Sequence, residues 1–192
     1  MKSSAFFCLF CASTLVLGSI AGGCRQKVVT AETTPVQNHT KEDMLAAQEI
    51  AVRQEKENIE AFCRRSGWDL KKTGSGLYMD IYEKAETKAP GVARGNAVRL
   101  RYTLHLLNGQ LIASSDEEGL KTFIVGESDV EAGLTEAVLC MRRGERARIL
   151  IPSHLAYGFS GNGGSIPPMA TLLYDIRIEE VLVPPKKVKP AS

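Results

Sequence analysis

The segment AVRLRYTLHLLNGQLIAS, residues 97–114, determines the fold class of this 192-residue chain. Apolar and polar residues alternate along its first half, and an alternation with a period of two predicts an antiparallel strand with one buried and one solvated face. The buried face is predicted to carry Val98, Leu100, Tyr102, Leu104 and Leu106. Asn108-Gly109 favours a tight hairpin turn, so residues 110–114 are predicted to form the returning strand.

The rest of the C-terminal two thirds adds strands and one short helix. Strands are predicted at 77–82, 123–125, 146–151 and 171–182, because their apolar residues alternate or form short runs between turn signals. Residues 129–141 are predicted to form a helix with Leu134, Ala137 and Val138 on one side. A sheet with one apolar face needs a covering layer, so we predict an α+β fold with this helix against the sheet.

The first residues are typical of an export signal. Lys2 precedes an apolar run at 5–17, and small residues lead to Cys24 in a pattern that resembles the bacterial lipobox. We therefore predict cleavage before Cys24 and a lipid on its sulfur, with plain secretion or an uncleaved anchor as the alternatives. The chain is then a membrane-anchored lipoprotein, and the lack of an acidic cluster after Cys24 favours the periplasmic side.

The segment between the signal and the strands is predicted to contain a tether and a helix. Thr40 opens TKED, which is typical of a helix N-terminus, and Gly67 can end that helix. Three alternatives stay open for the helix: a solvated spacer, packing on the domain, or pairing with another copy to form a dimer. The predicted divisions are a signal peptide at 1–23, a tether at 24–39, a helix at 40–67, a folded domain at 68–183 and a tail at 184–192.

Several function classes are disfavoured by composition and motifs. The formal net charge is only +2, and no basic face stands out, so nucleic acid is not an expected partner. The glycines of 156–164 lack the following Gly-Lys-Ser/Thr of a phosphate loop, and the three histidines are isolated. No metal or cofactor is expected. Cys63 and Cys140 are predicted to be buried thiols, although an exported protein could pair them in a disulfide.

One reaction needs none of these groups. Rotation about an X–Pro peptide bond has a barrier of about 18–20 kcal/mol, which comes from amide resonance. A catalyst needs only to favour the twisted, less dipolar amide over the planar one, and an apolar pocket from which water is excluded does so. Such a site is a bowl of aromatic and aliphatic side chains with no reactive residue.

Four segments of the chain resemble the conserved segments of a known protein family. RYTLHLLNGQLIASS, FIVG, GLTEAVLCMRRGERARILIPSHLAYG and SIPPMATLLYDIRIEEVL occur in the order and spacing of the FKBP-type peptidyl-prolyl cis-trans isomerases. The stretch from about Gly76 to Val183 resembles that family, which implies a curved antiparallel sheet wrapped around a short helix. The helix before it, Gly67-Trp68 and SGLY resemble the lipoprotein branch of Bacteroidota, which includes gliding-motility-associated isomerases. The implied substrates are proline-containing segments of exported proteins.

The resemblance also implies the site residues. The expected catalytic residues are Tyr102, Phe123, Tyr157 and Tyr174. The expected substrate-binding residues are Ile112, Ala113, Val130, Glu131, Leu134 and Ile166. In the family, the hydroxyl at the position of Tyr157 and the backbone N–H at the position of Glu131 bind substrate carbonyls.

This sequence departs from the family pattern at several pocket positions. Ala113 stands where an Asp is usual, Ile112 where Phe is usual, and Leu134 where Trp is frequent. Lys121 replaces a common aromatic, and Glu131 replaces an aliphatic residue whose backbone makes the contact. The bowl is expected to be apolar but less aromatic, with reduced isomerase activity. The alternative is a membrane-tethered chaperone or assembly factor with an FKBP-like fold and little or no catalysis.

Overall fold

The computed structural model describes residues 40–183 of the chain. The predictions for the signal peptide at 1–23, lipidated Cys24, the tether at 24–39 and the tail at 184–192 concern residues outside this range. Among the residues from 40 to 183, no helix combines the length and apolar character needed to cross a membrane.

Seven strands of the described part form one antiparallel sheet. Their bounds are β1 Lys71–Lys72, β2 Tyr78–Glu83, β3 Ala97–Leu106, β4 Leu111–Ser114, β5 Lys121–Ile124, β6 Arg146–Ile151 and β7 Leu172–Leu182. The order across the sheet is β1-β2-β6-β7-β3-β4. Strand β5 pairs with the same edge of β3 as β4 does, β5 with the first half of β3 and β4 with the second half. The long strands β3 and β7 pair along their whole length and form the centre of the sheet.

The predicted inward face of β3 is confirmed. All five of its alternating apolar residues are buried, and Leu100 is completely inaccessible to solvent. The corresponding residues of β7 are buried as well. The hairpin turn is formed by Leu107 and Asn108, one residue earlier than the Asn-Gly pair predicts, and Gly109 directly after it has a φ of 89°, which a residue with a side chain rarely adopts. The alternation in the sequence therefore reports the buried face of the sheet correctly.

The helix that covers this face is shorter than predicted. It spans Ala132–Leu139 (α3) rather than 129–141, because Glu131 has the extended backbone of an N-cap residue. Its predicted apolar side is confirmed, since Leu134, Ala137 and Val138 are fully buried. The helix lies so close to β6 that a Cβ atom at Gly133 would overlap the Ile151 side chain. Because residue 133 is glycine, α3 can lie this close to β6.

A long helix lies outside this core. It spans Lys41–Ser66 (α1), with the predicted capping interaction between Thr40 and Asp43 at its start and Gly67 in the left-handed conformation at its end. Ile59 is 3% exposed and belongs to a second apolar cluster with Tyr78 and Leu150. The C-terminal half of α1 therefore packs on the domain, as one of the three alternatives predicted.

The first half of α1 has a different environment. Its larger apolar side chains, including Leu45 and Val52, are about half exposed. The prediction that the helix pairs with another copy stays a prediction.

Several small features differ from the predictions, including β1, which was not predicted, and β5, which spans Lys121–Ile124 rather than 123–125. A one-turn helix, Ser115–Glu118 (α2), follows β4 and was not predicted, because four residues are too few to show a helical period. Cys63 and Cys140 are free thiols, but neither is buried as predicted, since Cys63 is partly exposed and Cys140 is exposed at the end of α3. The helical period does not predict whether a residue just beyond the end of the helix faces the core or the solvent.

Candidate functional site

The predicted pocket residues lie together between α3, the inner sheet face and the loop that precedes β7. Phe123, Leu134 and Ile166 are at most 5% exposed and belong to the main apolar core. Ile112, Ala113 and Val130 are partly buried against the same cluster. The fold therefore brings residues from five separate chain segments to one place.

Two tyrosines form the aromatic part of the site. The rings of Tyr102 on β3 and Tyr174 on β7 have centroids 6.1 Å apart and are tilted by 47°. Tyr174 is completely buried, and Tyr102 is 5% exposed.

Ile112 is the extra residue of a β-bulge between β3 and β4, since Leu104 pairs with Ala113 and His105 pairs with Leu111. Bulges of this kind redirect a side chain, and here the residue concerned is a predicted pocket residue.

Glu131 brings a carboxylate into this apolar site. Its side chain is 4% exposed. The hydroxyls of Tyr157 and Tyr174 both donate to its Oε1, at 3.1 and 2.8 Å. The sequence-based expectation assigned importance only to the backbone of Glu131. That expectation is incomplete, because the side chain turns inward and engages the hydroxyl expected to bind substrate.

The second oxygen of this carboxylate is less well satisfied. Glu131 Oε2 is buried and has no hydrogen-bond donor among the described residues. Its nearest cation is Lys121 Nζ at 3.7 Å, which is an ion pair too long for a hydrogen bond. The same ammonium lies 5.7 Å from the centroid of the Tyr102 ring. Lys121, which stands where an aromatic residue is common in the family, thus supplies a counterion for the Glu131 carboxylate.

The tyrosine hydroxyls are held in the neutral form. Burial, followed by the nearby charge of Glu131 and the hydrogen bond to it, raises the pKa of Tyr157 to about 12. The same causes raise the pKa of Tyr174 far above its ordinary value. Both groups therefore keep their protons and act as donors throughout the physiological pH range.

The Tyr102 hydroxyl has a carboxylate partner that the sequence argument missed. The hydroxyl of Tyr102 donates to Glu118 Oε2 at 2.5 Å, and Glu118 lies at the end of α2. Burial and this hydrogen bond raise the pKa of Tyr102 well above its ordinary value. The Tyr102 hydroxyl therefore has an acidic partner even though the usual Asp position holds alanine. The acidic run Asp116–Glu118 was the available sequence signal.

The loop between β6 and β7 forms one side of the site and carries Tyr157 and Ile166. Tyr157 is 38% exposed, so its ring stands at the rim rather than in the core. Asn162 Oδ1 accepts from the Ile166 backbone N–H at 2.9 Å and fixes the turn of the loop. A Cβ atom at Gly161, where φ is 65°, would overlap the Ile166 carbonyl. The glycine-rich segment therefore builds this side of the site.

A different cavity, of about 320 Å³, opens on the outer sheet face. Arg101 and Arg146 line it and pair with Asp116 and Asp175 at 3.2 and 3.5 Å. Exposed pairs of opposite charge are usual on a solvated sheet face. Most of the side chains that line this cavity are charged or polar, which does not suit a proline ring, so the apolar cluster on the inner face is the better candidate.

The comparisons with known proteins agree with this geometry. The sequence profile described as "FKBP-type peptidyl-prolyl cis-trans isomerase" matches residues 89–179. The chain is 38% identical over 86 residues to the peptidyl-prolyl cis-trans isomerase FKBP1A of Xenopus laevis, covering 80% of that protein and 44% of this one. The chain belongs to the FKBP-type family.

Two bacterial FKBP-type proteins extend the comparison. The FKBP-type 22 kDa peptidyl-prolyl cis-trans isomerase of Escherichia coli is 37% identical over 111 residues, which are 57% of this chain and 52% of that protein. The crystal structure of FkpA from Escherichia coli superposes with a TM-score of 0.62 at 24% identity, covering 76% of this chain and 67% of that one. This structural likeness confirms the predicted FKBP-like fold. The chain spans about half the length of several of the relatives it matches.

Proposed function

We propose that the protein is a peptidyl-prolyl cis-trans isomerase that acts on X–Pro bonds of exported proteins. The observation that carries the proposal is the apolar, partly aromatic cluster of side chains beside the neutral hydroxyl of Tyr157, whose ring is partly exposed. Family membership supports the same activity. Tyr102, Phe123 and Tyr174 belong to one apolar cluster, and in this proposal their side chains surround the proline ring and shield it from water.

In this proposal the pocket lowers the barrier without a covalent step. The twisted amide has lost resonance and part of its dipole, so the apolar walls stabilise it relative to the planar form. Leu134 and Ile166 supply aliphatic surface on two sides. The Tyr157 hydroxyl and the Glu131 backbone N–H hold the flanking carbonyl groups of the peptide. Ile112, Ala113 and Val130 complete the wall.

We further propose that activity is reduced relative to a typical family member. The Tyr157 hydroxyl already donates to Glu131, so a substrate carbonyl must displace that carboxylate to receive the hydrogen bond. A hydrogen bond to a charged acceptor contributes about 1.5–3 kcal/mol, which is large enough to slow binding or catalysis. Leu134 and Lys121 also leave the bowl less aromatic than usual.

The substitution Tyr157→Phe tests the role of the hydroxyl. We expect kcat/KM for a proline-containing peptide to fall about tenfold, because the donor to the substrate carbonyl is lost while the ring remains. Tyr82→Phe is the matched control, since it also removes a tyrosine hydroxyl, one that donates to Asp175 on the outer sheet face rather than to a group of the site. A wild-type protein that does not accelerate cis-to-trans conversion would refute the isomerase proposal.

A second candidate function is a tethered chaperone with little or no catalysis. Exposed apolar side chains favour it: Leu45, Val52 and Phe159 border an open cavity of about 500 Å³. Such surface can hold an unfolded client, or a second copy of the chain in the dimer proposed through α1. Suppressed aggregation of a proline-free client, without acceleration of proline isomerisation, would support the chaperone over the enzyme.

We also propose that the protein belongs to the lipoprotein branch of Bacteroidota and faces the periplasm. The support is the sequence: the export signal at 1–23 ends in small residues before Cys24. Acyl chains contribute about 0.8 kcal/mol per buried CH₂ group, so two or more of them anchor a protein firmly.

The substitution Cys24→Ala tests the anchor. We expect the protein to move from the membrane fraction to the soluble fraction of the cell, because the sulfur that would carry the lipid is gone. Cys63→Ala is the control and should leave the distribution unchanged, since Cys63 lies in α1 and contacts the domain. Membrane association that survives Cys24→Ala would contradict lipidation.

A further inference from the structure

A buried carboxylate of α1 connects the helix to the base of the loop that carries Tyr157. Glu55 is 9% exposed. Its Oε1 accepts from the Ser153 backbone N–H at 2.6 Å and from Thr171 Oγ1 at 2.7 Å, and its Oε2 accepts from Ser153 Oγ at 2.8 Å. The two partners are 18 positions apart in the sequence, and they stand at the two ends of the loop. One side chain therefore ties both ends together.

Backbone hydrogen bonds continue this connection to the rim of the pocket. The Gly158 N–H donates to the Ser153 carbonyl at 2.8 Å, and the Met169 N–H donates to the Gly158 carbonyl at 2.9 Å. Met169 has a φ of 56°, which a non-glycine residue adopts only when its surroundings hold it. Hydrogen bonds join Glu55 to Ser153, Ser153 to Gly158 and Gly158 to Met169. The chain itself leads from Met169 to Thr171, whose hydroxyl donates back to Glu55 and closes the ring. Tyr157 is next to Gly158, so its backbone position depends on this ring.

We propose that Glu55 is a positioning residue of the isomerase, which holds the 156–170 loop so that the Tyr157 hydroxyl stands at the pocket rim. This inference rests on the function proposed above. Glu55 lies outside the segment that matches the family, residues 89–179. In this proposal α1 is more than a spacer, because its Glu55 positions the loop that carries Tyr157. Ile59 supports the arrangement, because its packing against Tyr78 and Leu150 keeps this part of α1 on the domain.

Three hydrogen bonds to one carboxylate make the effect large enough to measure. Hydrogen bonds to a charged group are stronger than those between neutral groups, and Ser153 and Thr171 are buried, so water replaces the lost partner poorly. Without the carboxylate, the two ends of the loop are no longer joined through α1. The Tyr157 ring, which is partly exposed, then samples more positions.

The experiment compares Glu55→Ala with Glu57→Ala in the purified full chain. Glu57 lies on the same helix and is exposed, so it controls for helix composition and net charge. We expect Glu55→Ala to lower kcat/KM about tenfold and to lower the hydrogen-exchange protection of the Gly158 and Met169 amides about tenfold. Glu57→Ala should change neither quantity, and the Gly119 amide, in a turn after α2, should keep its protection in both variants.

A double-mutant cycle with Tyr157→Phe separates positioning from a general loss of stability. If Glu55 acts through Tyr157, then Glu55→Ala should reduce kcat/KM much less in the Tyr157→Phe background than in the wild type. Additive losses would overturn the proposal. If Glu55→Ala does not fold, Thr171→Val serves instead, since it removes one donor at nearly constant shape.

The exchange measurement keeps the two proposals separate. An inactive wild type refutes the isomerase function, and the role of Glu55 in holding the loop is then judged from the Gly158 and Met169 amides. Unchanged protection of both amides in folded Glu55→Ala or Thr171→Val overturns the role of Glu55, whatever the activity of the wild type.

Discussion

Replacing Glu131 by isoleucine is expected to raise kcat/KM for a proline-containing peptide about tenfold, which corresponds to about 1.4 kcal/mol. The reason is competition for one hydroxyl. Tyr157 donates to Glu131 Oε1 at 3.1 Å in the free protein, so a substrate carbonyl must displace this acceptor. Isoleucine has no acceptor and adds apolar surface to the pocket. The measurement is a protease-coupled or fluorescence assay of cis-to-trans conversion.

Two companion variants make this prediction specific. Glu131→Gln keeps an acceptor for Tyr157 but removes the charge, so its gain should be smaller than that of Glu131→Ile. Glu131→Ile leaves the Tyr174 hydroxyl buried without its acceptor, which costs about 1–3 kcal/mol of stability. The double variant Glu131→Ile with Tyr174→Phe removes that hydroxyl and should keep the gain in kcat/KM. A kcat/KM that stays at the wild-type value in all three variants would show that Glu131 does not compete with substrate.

The largest effect on stability is expected at the floor of the pocket. Leu134→Ala should lower the free energy of unfolding by about 2–5 kcal/mol, because Leu134 is completely buried between α3 and the sheet and its removal leaves a cavity. Urea denaturation measures the change. Leu111→Ala is the matched control, since the same atoms are removed from a side chain that is 47% exposed, and its effect should stay within about 1 kcal/mol.

The two leucines also separate packing from β-propensity. A loss at Leu111 as large as that at Leu134 would mean that the strand, rather than the core under α3, sets the stability of the domain. The decrease in the free energy of unfolding grows with the volume of the cavity that remains. If the neighbouring side chains move in to fill the space, the decrease for Leu134→Ala should lie at the lower end of the range.

Much of the fold could be predicted because the sheet has one buried face. Strand β6 was predicted with its exact bounds, and β3 and β7 were predicted to within one residue at each end where the alternation is clear. The capped start of α1 followed from Thr40 and Asp43, whose mutual hydrogen bonds depend only on neighbours in the sequence. The one-turn helix α2 escaped prediction because it is shorter than one reliable period.

The site could be predicted only in part. The tyrosines on β3 and β7 face inward by strand alternation, which is a local property. The partner of the Tyr102 hydroxyl is Glu118, and a side-chain contact of this kind depends on how α2 turns back toward β3. The inward turn of the Glu131 side chain depends on the two tyrosines that donate to it, one from β7 and one from the rim loop.

The sequence by itself determined the α+β class, the buried faces of the central strands, the ends of α1 and the family, because these depend on period, local capping and short motifs. Only the tertiary structure showed that Glu131 occupies the Tyr157 hydroxyl and that Glu55 joins the two ends of the rim loop. The physical reason is distance along the chain. Glu55 and Thr171 are 116 positions apart, and no local pattern records a hydrogen bond between them.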